Sequence, residues 1–117
     1  MKHDKKIAVT FMGILLFTFG IMADEMISEN ALQGKKVLYV YGGWDGHEPK
    51  QCRDIFVPWL KSEGAEVFLY DDLACYDDSV LMAEVDLIIQ HVTMSQISGS
   101  RERALLNAVK RGVGLAG

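Results

Sequence analysis

The chain has 117 residues, half of them hydrophobic, and a formal net charge of −4. That length holds one domain. The acidic balance excludes nucleic acid as the main partner, because phosphate binding needs clustered Lys and Arg, and it excludes a polybasic membrane-surface site.

The apolar content is concentrated at the start. Lys2, Lys5 and Lys6 stand against Asp4, and residues 7–22 then run without a charge. A basic start followed by an apolar run is the pattern of a secretory signal, and the run is shorter than the ~20 residues that a membrane span needs. Residues 1–23 are therefore read as a signal peptide, with an uncleaved amino-terminal anchor as the alternative. Small residues occur at Gly20 and Ala23, but no Ala-x-Ala fixes the cleavage point. This reading places the protein in the periplasm or outside the cell, touching a membrane only through that segment if it is retained. Without residues 1–23 the chain keeps 9 basic and 15 acidic residues, a net −6. Residues 24–35 read as a polar linker closed by Gly34 and Lys35.

Residues 36–42 read as the first strand, since Val37-Leu38-Tyr39-Val40-Tyr41 is β-branched, aromatic or aliphatic without a breaker. A loop dense in chemical groups follows: Gly42-Gly43-Trp44-Asp45-Gly46-His47-Glu48-Pro49. Its glycines permit tight turning and close approach. Residues 50–63 read as a helix, with Cys52, Ile55, Phe56, Trp59 and Leu60 as its core stripe at period 3.6. Pro49 suits its first turn. Pro58 is expected to kink the helix rather than end it, because the stripe continues beyond, and Gly64 closes it.

Residues 66–70 read as the second strand, terminated by Asp71-Asp72. Turn residues Tyr76, Asp77, Asp78 and Ser79 follow, with one helical turn near 79–82. Residues 85–91 read as the third strand, ending in His91, and its core is a continuous apolar run, as expected of a strand covered on both faces. Residues 92–99 read as a second loop, with Thr93, Ser95, Gln96 and Ser98. Ser98 or Ser100 caps a helix over 101–111, whose buried stripe is Leu105, Leu106, Ala108 and Val109. Residues 113–117 begin a fourth strand. Cys52 and Cys75 read as two buried thiols rather than a bridge, and their spacing fits no zinc pattern.

Strands alternating with helices imply parallel βαβ units. The simplest arrangement is an α/β fold, a flavodoxin-like three-layer parallel sheet of order 2-1-3-4. The loops after strands one and three then flank a common crevice at the strand carboxyl ends, where open α/β sheets bind ligands. Within it, His47 is the candidate base or ligand-contacting group, with Glu48 beside it. Gly43, Trp44, Asp45, His91 and Thr93 are the candidate substrate-binding residues. Trp44 offers a face for a sugar ring or, equally, a lid on the sheet. Asp45 and Glu48 orient His47 or only complement the helix dipole. His91, Thr93 and Ser95 also have structural readings as a satisfied strand histidine and as turn residues. No metal set and no nucleotide motif is present, and the cofactor is unknown. A chain ending on an apolar strand leaves a sheet edge open to an oligomer contact, and it is the expected look of the amino-terminal portion of a longer protein.

The Gly-Gly-Trp-Asp-Gly-His-Glu-Pro block, the helix reaching Trp59-Leu60 and Gly64, the strand to His91 with Thr93-Met94, and the closing Lys110-Arg111-Gly112-Val113-Gly114-Leu115-Ala116-Gly117 resemble the ThuA-like (trehalose utilisation) family over residues 36–117. That resemblance implies a class I glutamine amidotransferase-like fold and an exported protein linked to carbohydrate utilisation, with a small-molecule carbohydrate as partner. The family generally continues past this Ala-Gly with a Trp-His-Gly segment that the present sequence does not contain, so the resemblance carries no amidotransferase activity. Two readings stay beside it: a non-catalytic flavodoxin-like module that binds a ligand or partner, and a fragment without activity of its own.

Overall fold

A computed structural model describes residues 30–117. The stretch read as a signal peptide and the first part of the expected linker lie outside these residues. The described chain is a three-layer α/β fold around a four-stranded parallel sheet of order β2-β1-β3-β4, a flavodoxin-like arrangement.

The strands are β1 (Lys36–Gly43), β2 (Glu66–Tyr70), β3 (Leu87–Thr93) and β4 (Gly114–Ala116). The helices are α1 (Pro49–Ser62), α2 (Ser79–Glu84) and α3 (Gly99–Lys110). The chain adds β2 on one side of β1, then returns to place β3 on the other. Right-handed crossovers require that reversal to put the intervening helices on opposite faces. The core shows it. Val37 and Tyr39 of β1 pack with Val57 and Leu60 of α1, whereas Leu38 and Val40 pack with Leu73, Tyr76, Leu81, Met82 and Ala108 beneath α2 and α3. Val37, Leu38, Tyr39 and Val40 are at most 1% exposed. Each such side chain contributes about 1.5–3 kcal/mol of burial, which makes β1 the axis of the fold.

Residues 30–34 are not a free linker. They form a turn tied by the Gly34 N–H to the Gly64 carbonyl at 2.9 Å, and Leu32 packs onto the α1-side core.

Helix α1 turns a different face to the sheet from the one its stripe suggests. Pro49, Val57 and Leu60 are buried, while Ile55, Phe56 and Trp59 are 68%, 46% and 50% exposed. Apolar residues occupy a wide arc of this helix, and periodicity alone does not say which edge of the arc meets the sheet. Arg53 lies on the inward side. It donates to the Tyr41 hydroxyl at 2.9 Å with its guanidinium 4.9 Å from the ring centroid, so a basic residue supplies packing through its stem and stacking. The helix does not end at Pro58.

Strand β3 starts and ends two residues later than the apolar run predicts. Val85 is buried but serves as the C-cap of α2, whose N-terminus is held by the Asp78 carboxylate accepting from the Val80 and Leu81 N–H groups. Asp86 then anchors β1, accepting from the Lys36 N–H at 2.8 Å. Thr93 is consequently the last residue of the strand rather than part of a loop. The strand is not evenly covered: Ile88, on the α2/α3 side, is fully buried, but Leu87 and Ile89, on the α1 side, are half-buried.

Helix α3 begins with Ser98, whose hydroxyl accepts from the Arg101 N–H. Its inward face is Ala104, Leu105 and Ala108, and Leu106 and Val109 are exposed instead. Both cysteines are free thiols. Cys75 is buried, as expected, but Cys52 is only half-buried. No helix among the described residues is long and apolar enough to cross a membrane.

Candidate functional site

The two loops predicted to flank a crevice do meet. β1 and β3 pair in register as far as Gly43 opposite Thr93. Gly43 has φ +84, and a Cβ there would collide with the Thr93 carbonyl oxygen. Only glycine combines that backbone conformation with that approach. The Trp44 N–H then donates to the same carbonyl at 3.1 Å, which fixes the exit of the loop.

From there a single 3-10 turn over Asp45–His47 swings the imidazole back over the sheet end. His47 Nδ1 lies 3.0 Å from Thr93 Oγ1. The Trp44 indole stands edge-on to the imidazole, with ring centroids 4.9 Å apart and planes at 70°, the geometry that aromatic quadrupoles favour. The indole also lies against Gly46, where any Cβ would overlap it. Trp44 is 52% exposed.

The structure thus gathers Gly43, Trp44, His47 and Thr93. Asp45 and Glu48 are exposed, and neither makes a hydrogen bond to His47. Glu48 instead adopts a left-handed backbone, φ 51, donating its N–H to the Asp45 carbonyl and accepting from the Cys52 N–H as the chain enters α1. Met94, at φ 52, is the other non-glycine residue with positive φ among the described residues. Both therefore sit where the chain leaves the strand ends, one in each loop, and such conformations concentrate at functional loops.

His91 pairs in register with Tyr41, and strand alternation puts it on the same face as Thr93, two residues on. Its Nε2 is buried and has no hydrogen-bond partner among the described residues. Buried polar atoms are rarely left so, so His91 is not the fully satisfied strand histidine that is the usual alternative.

Because Gly43 and Thr93 touch, the space directly between β1 and β3 is filled, and hollows open on either side of it. One, of about 580 Å³, lies at the carboxyl ends of β3 and β4 and includes Gln90, His91, Thr93 and Leu115 in its lining. The other, of about 250 Å³, lies at the ends of β1, β2 and β3, with Asp71, Asp72, Gln96 and Arg101 among its walls. Reading Asp71-Asp72 only as strand terminators misses their position. The rule that points to the loops after strands one and three applies equally to the end of strand two.

The walls of these hollows belong to a polar network. The Tyr76 hydroxyl donates to Gln90 Oε1 at 2.6 Å, and Arg101 binds Asp77 through Nε and Nη2 at 3.0 and 2.8 Å. Burial pushes the Tyr76 hydroxyl up from its ordinary pKa, so it stays a neutral donor. Among the described residues no three His, Cys, Asp or Glu side chains converge as a metal-binding group. No family model, no curated protein and no solved structure matches this chain.

Proposed function

We propose that this chain is a ligand-binding α/β module whose ligand seats at the carboxyl end of β3, against His91 and Thr93, with Trp44 and His47 on the rim. One observation carries the reading: side chains 46 positions apart, one from the turn after β1 and one from the last residue of β3, meet at hydrogen-bond distance, His47 on Thr93, on the sheet face that also bears the unpartnered His91 Nε2. The half-exposed indole offers a flat apolar face, and the imidazole and threonine offer donors and acceptors. That combination suits a hydroxyl-rich ring. Binding is favoured over turnover because the His47 nitrogen meets a hydroxyl, not a carboxylate that would make it a stronger base.

The narrower form of this proposal is a ThuA-like domain, exported through residues 1–23, that binds trehalose or a related glycoside. Saturation binding of trehalose and maltose oligomers to the full chain tests it. Replacing His47→Ala is expected to raise Kd about fivefold or more, the worth of one hydrogen bond and its neighbours. Equal affinity in the wild type and His47→Ala removes the site.

A further inference from the structure

The smaller hollow is separated from the one beside His91 by the Gly43–Thr93 contact, and its chemistry differs. Its walls are Asp71, Asp72, Ser95, Gln96 and Arg101, over a floor of Leu73 and Val92. The groups are not equally free. One Asp72 carboxylate oxygen already accepts from the Ala74 N–H at 2.6 Å, and Arg101 is engaged by Asp77 through two of its nitrogens. The Asp71 carboxylate and the Ser95 and Gln96 side chains make no hydrogen bond among the described residues.

Charge and group type narrow what can enter. Two carboxylates against a guanidinium already neutralised by Asp77 disfavour a phosphate or carboxylate ligand. A bare divalent cation prefers an all-oxygen shell of six or more ligands, and among the described residues no three His, Cys, Asp or Glu side chains converge to supply one. Acceptor (Asp71), amide (Gln96), hydroxyl (Ser95) and residual guanidinium donors together match vicinal hydroxyls, each of which both donates and accepts. A volume of about 250 Å³ is below the ~300–1,000 Å³ of drug-sized sites, which limits what enters to one ring, free or at the end of a longer sugar. The position, beside the carboxyl ends of β1, β2 and β3, is on the edge of the sheet where open α/β folds bind ligands.

We propose that this hollow is a second binding site, taking one neutral polyhydroxylated ring through Asp71, Ser95 and Gln96. It goes beyond the site at His91 and does not depend on it.

Backbone amide shifts of the full chain, titrated separately with maltose, inorganic phosphate and Mg²⁺, test the assignment. Maltose is expected to shift the Asp71, Ser95 and Gln96 amides saturably. In Asp71→Asn the Kd read from those amides rises about five- to tenfold, as loss of a charged acceptor implies, while shifts at His91 and Thr93 are unchanged. Asp71 is exposed, so the variant keeps its fold. Maltose shifts confined to His91 and Thr93 overturn this site and leave the first. Shifts confined to Asp71, Ser95 and Gln96 support this site and remove the first. Saturation of these amides by phosphate or Mg²⁺ but not by maltose overturns the polyol assignment, as does the absence of any maltose shift.

Discussion

His47 Nδ1 lies 3.0 Å from Thr93 Oγ1, which ties the loop leaving β1 to the last residue of β3. The bond is exposed, so its own net worth is modest, about 0.5–1.5 kcal/mol. Its consequence is positional. It holds the imidazole over the sheet end and, through the edge-on contact with Trp44, sets the direction of the indole.

The approach that permits this bond depends on one glycine. Gly43→Ala is expected to destabilise the fold by at least ~2 kcal/mol, because strain at φ +84 adds to a clash with backbone that cannot move aside. Gly112→Ala supplies the comparison. Its φ is +102 but nothing lies within 4 Å of the added Cβ, so it carries the conformational cost alone, about 1 kcal/mol. Thermal melts of the two variants should rank in that order. Equal melting temperatures would mean that Gly43 and Thr93 do not touch.

Helix α1 gives a sharper comparison. Leu60→Ala is expected to cost about 2–4 kcal/mol, and Val57→Ala somewhat less, as buried truncations. Phe56→Ala and Ile55→Ala, on the exposed flank, should each cost about 1 kcal/mol or less. Urea unfolding measures all four. The reverse ranking would restore the stripe that periodicity suggests.

How far the sequence reads is clear from these elements. The strand order followed from alternation and handedness, which are global rules that no single residue can break. The ends of β3 did not follow, because whether Val85 belongs to a strand or a helix cap depends on Asp78 seven residues earlier, and an apolar run carries no mark of where it starts. The orientation of α1 did not follow because Cys52, Phe56 and Trp59 extend the apolar arc beyond what one sheet face covers. In the site, the meeting of two loops was legible from topology. The pairing of His47 with Thr93 rather than with Glu48 was not, since it comes from the 3-10 turn over Asp45–His47 and the positive φ of Glu48. Asp71 was passed over because a carboxylate that ends a strand looks the same whether or not a hollow lies beside it.

The alkaline side of the stability profile tests the α2/α3-side core. Burial, helped by Asp72, pushes the Cys75 thiol up to about 11 from its usual 9.0. An unfolded thiol loses its proton first, so between those values the folded state holds more protons and stability falls as pH rises. Below pH 9 this group contributes no slope. The Tyr76 hydroxyl, also raised by burial, acts in the same direction at still higher pH. Together they should lower unfolding free energy by ~2 kcal/mol between pH 8 and 10.5. Urea midpoints at the two pH values check this, and Cys75→Ala should remove part of the slope. Unchanged midpoints would mean that these groups are solvated.

The shared site at the end of β3 is tested most directly by intermolecular NOEs in the full chain saturated with maltose. The Trp44 indole protons and the Thr93 γ-methyl are predicted to show NOEs to the same sugar. Saturable binding with NOEs to only one of these two residues, or no saturable binding at all, would contradict it.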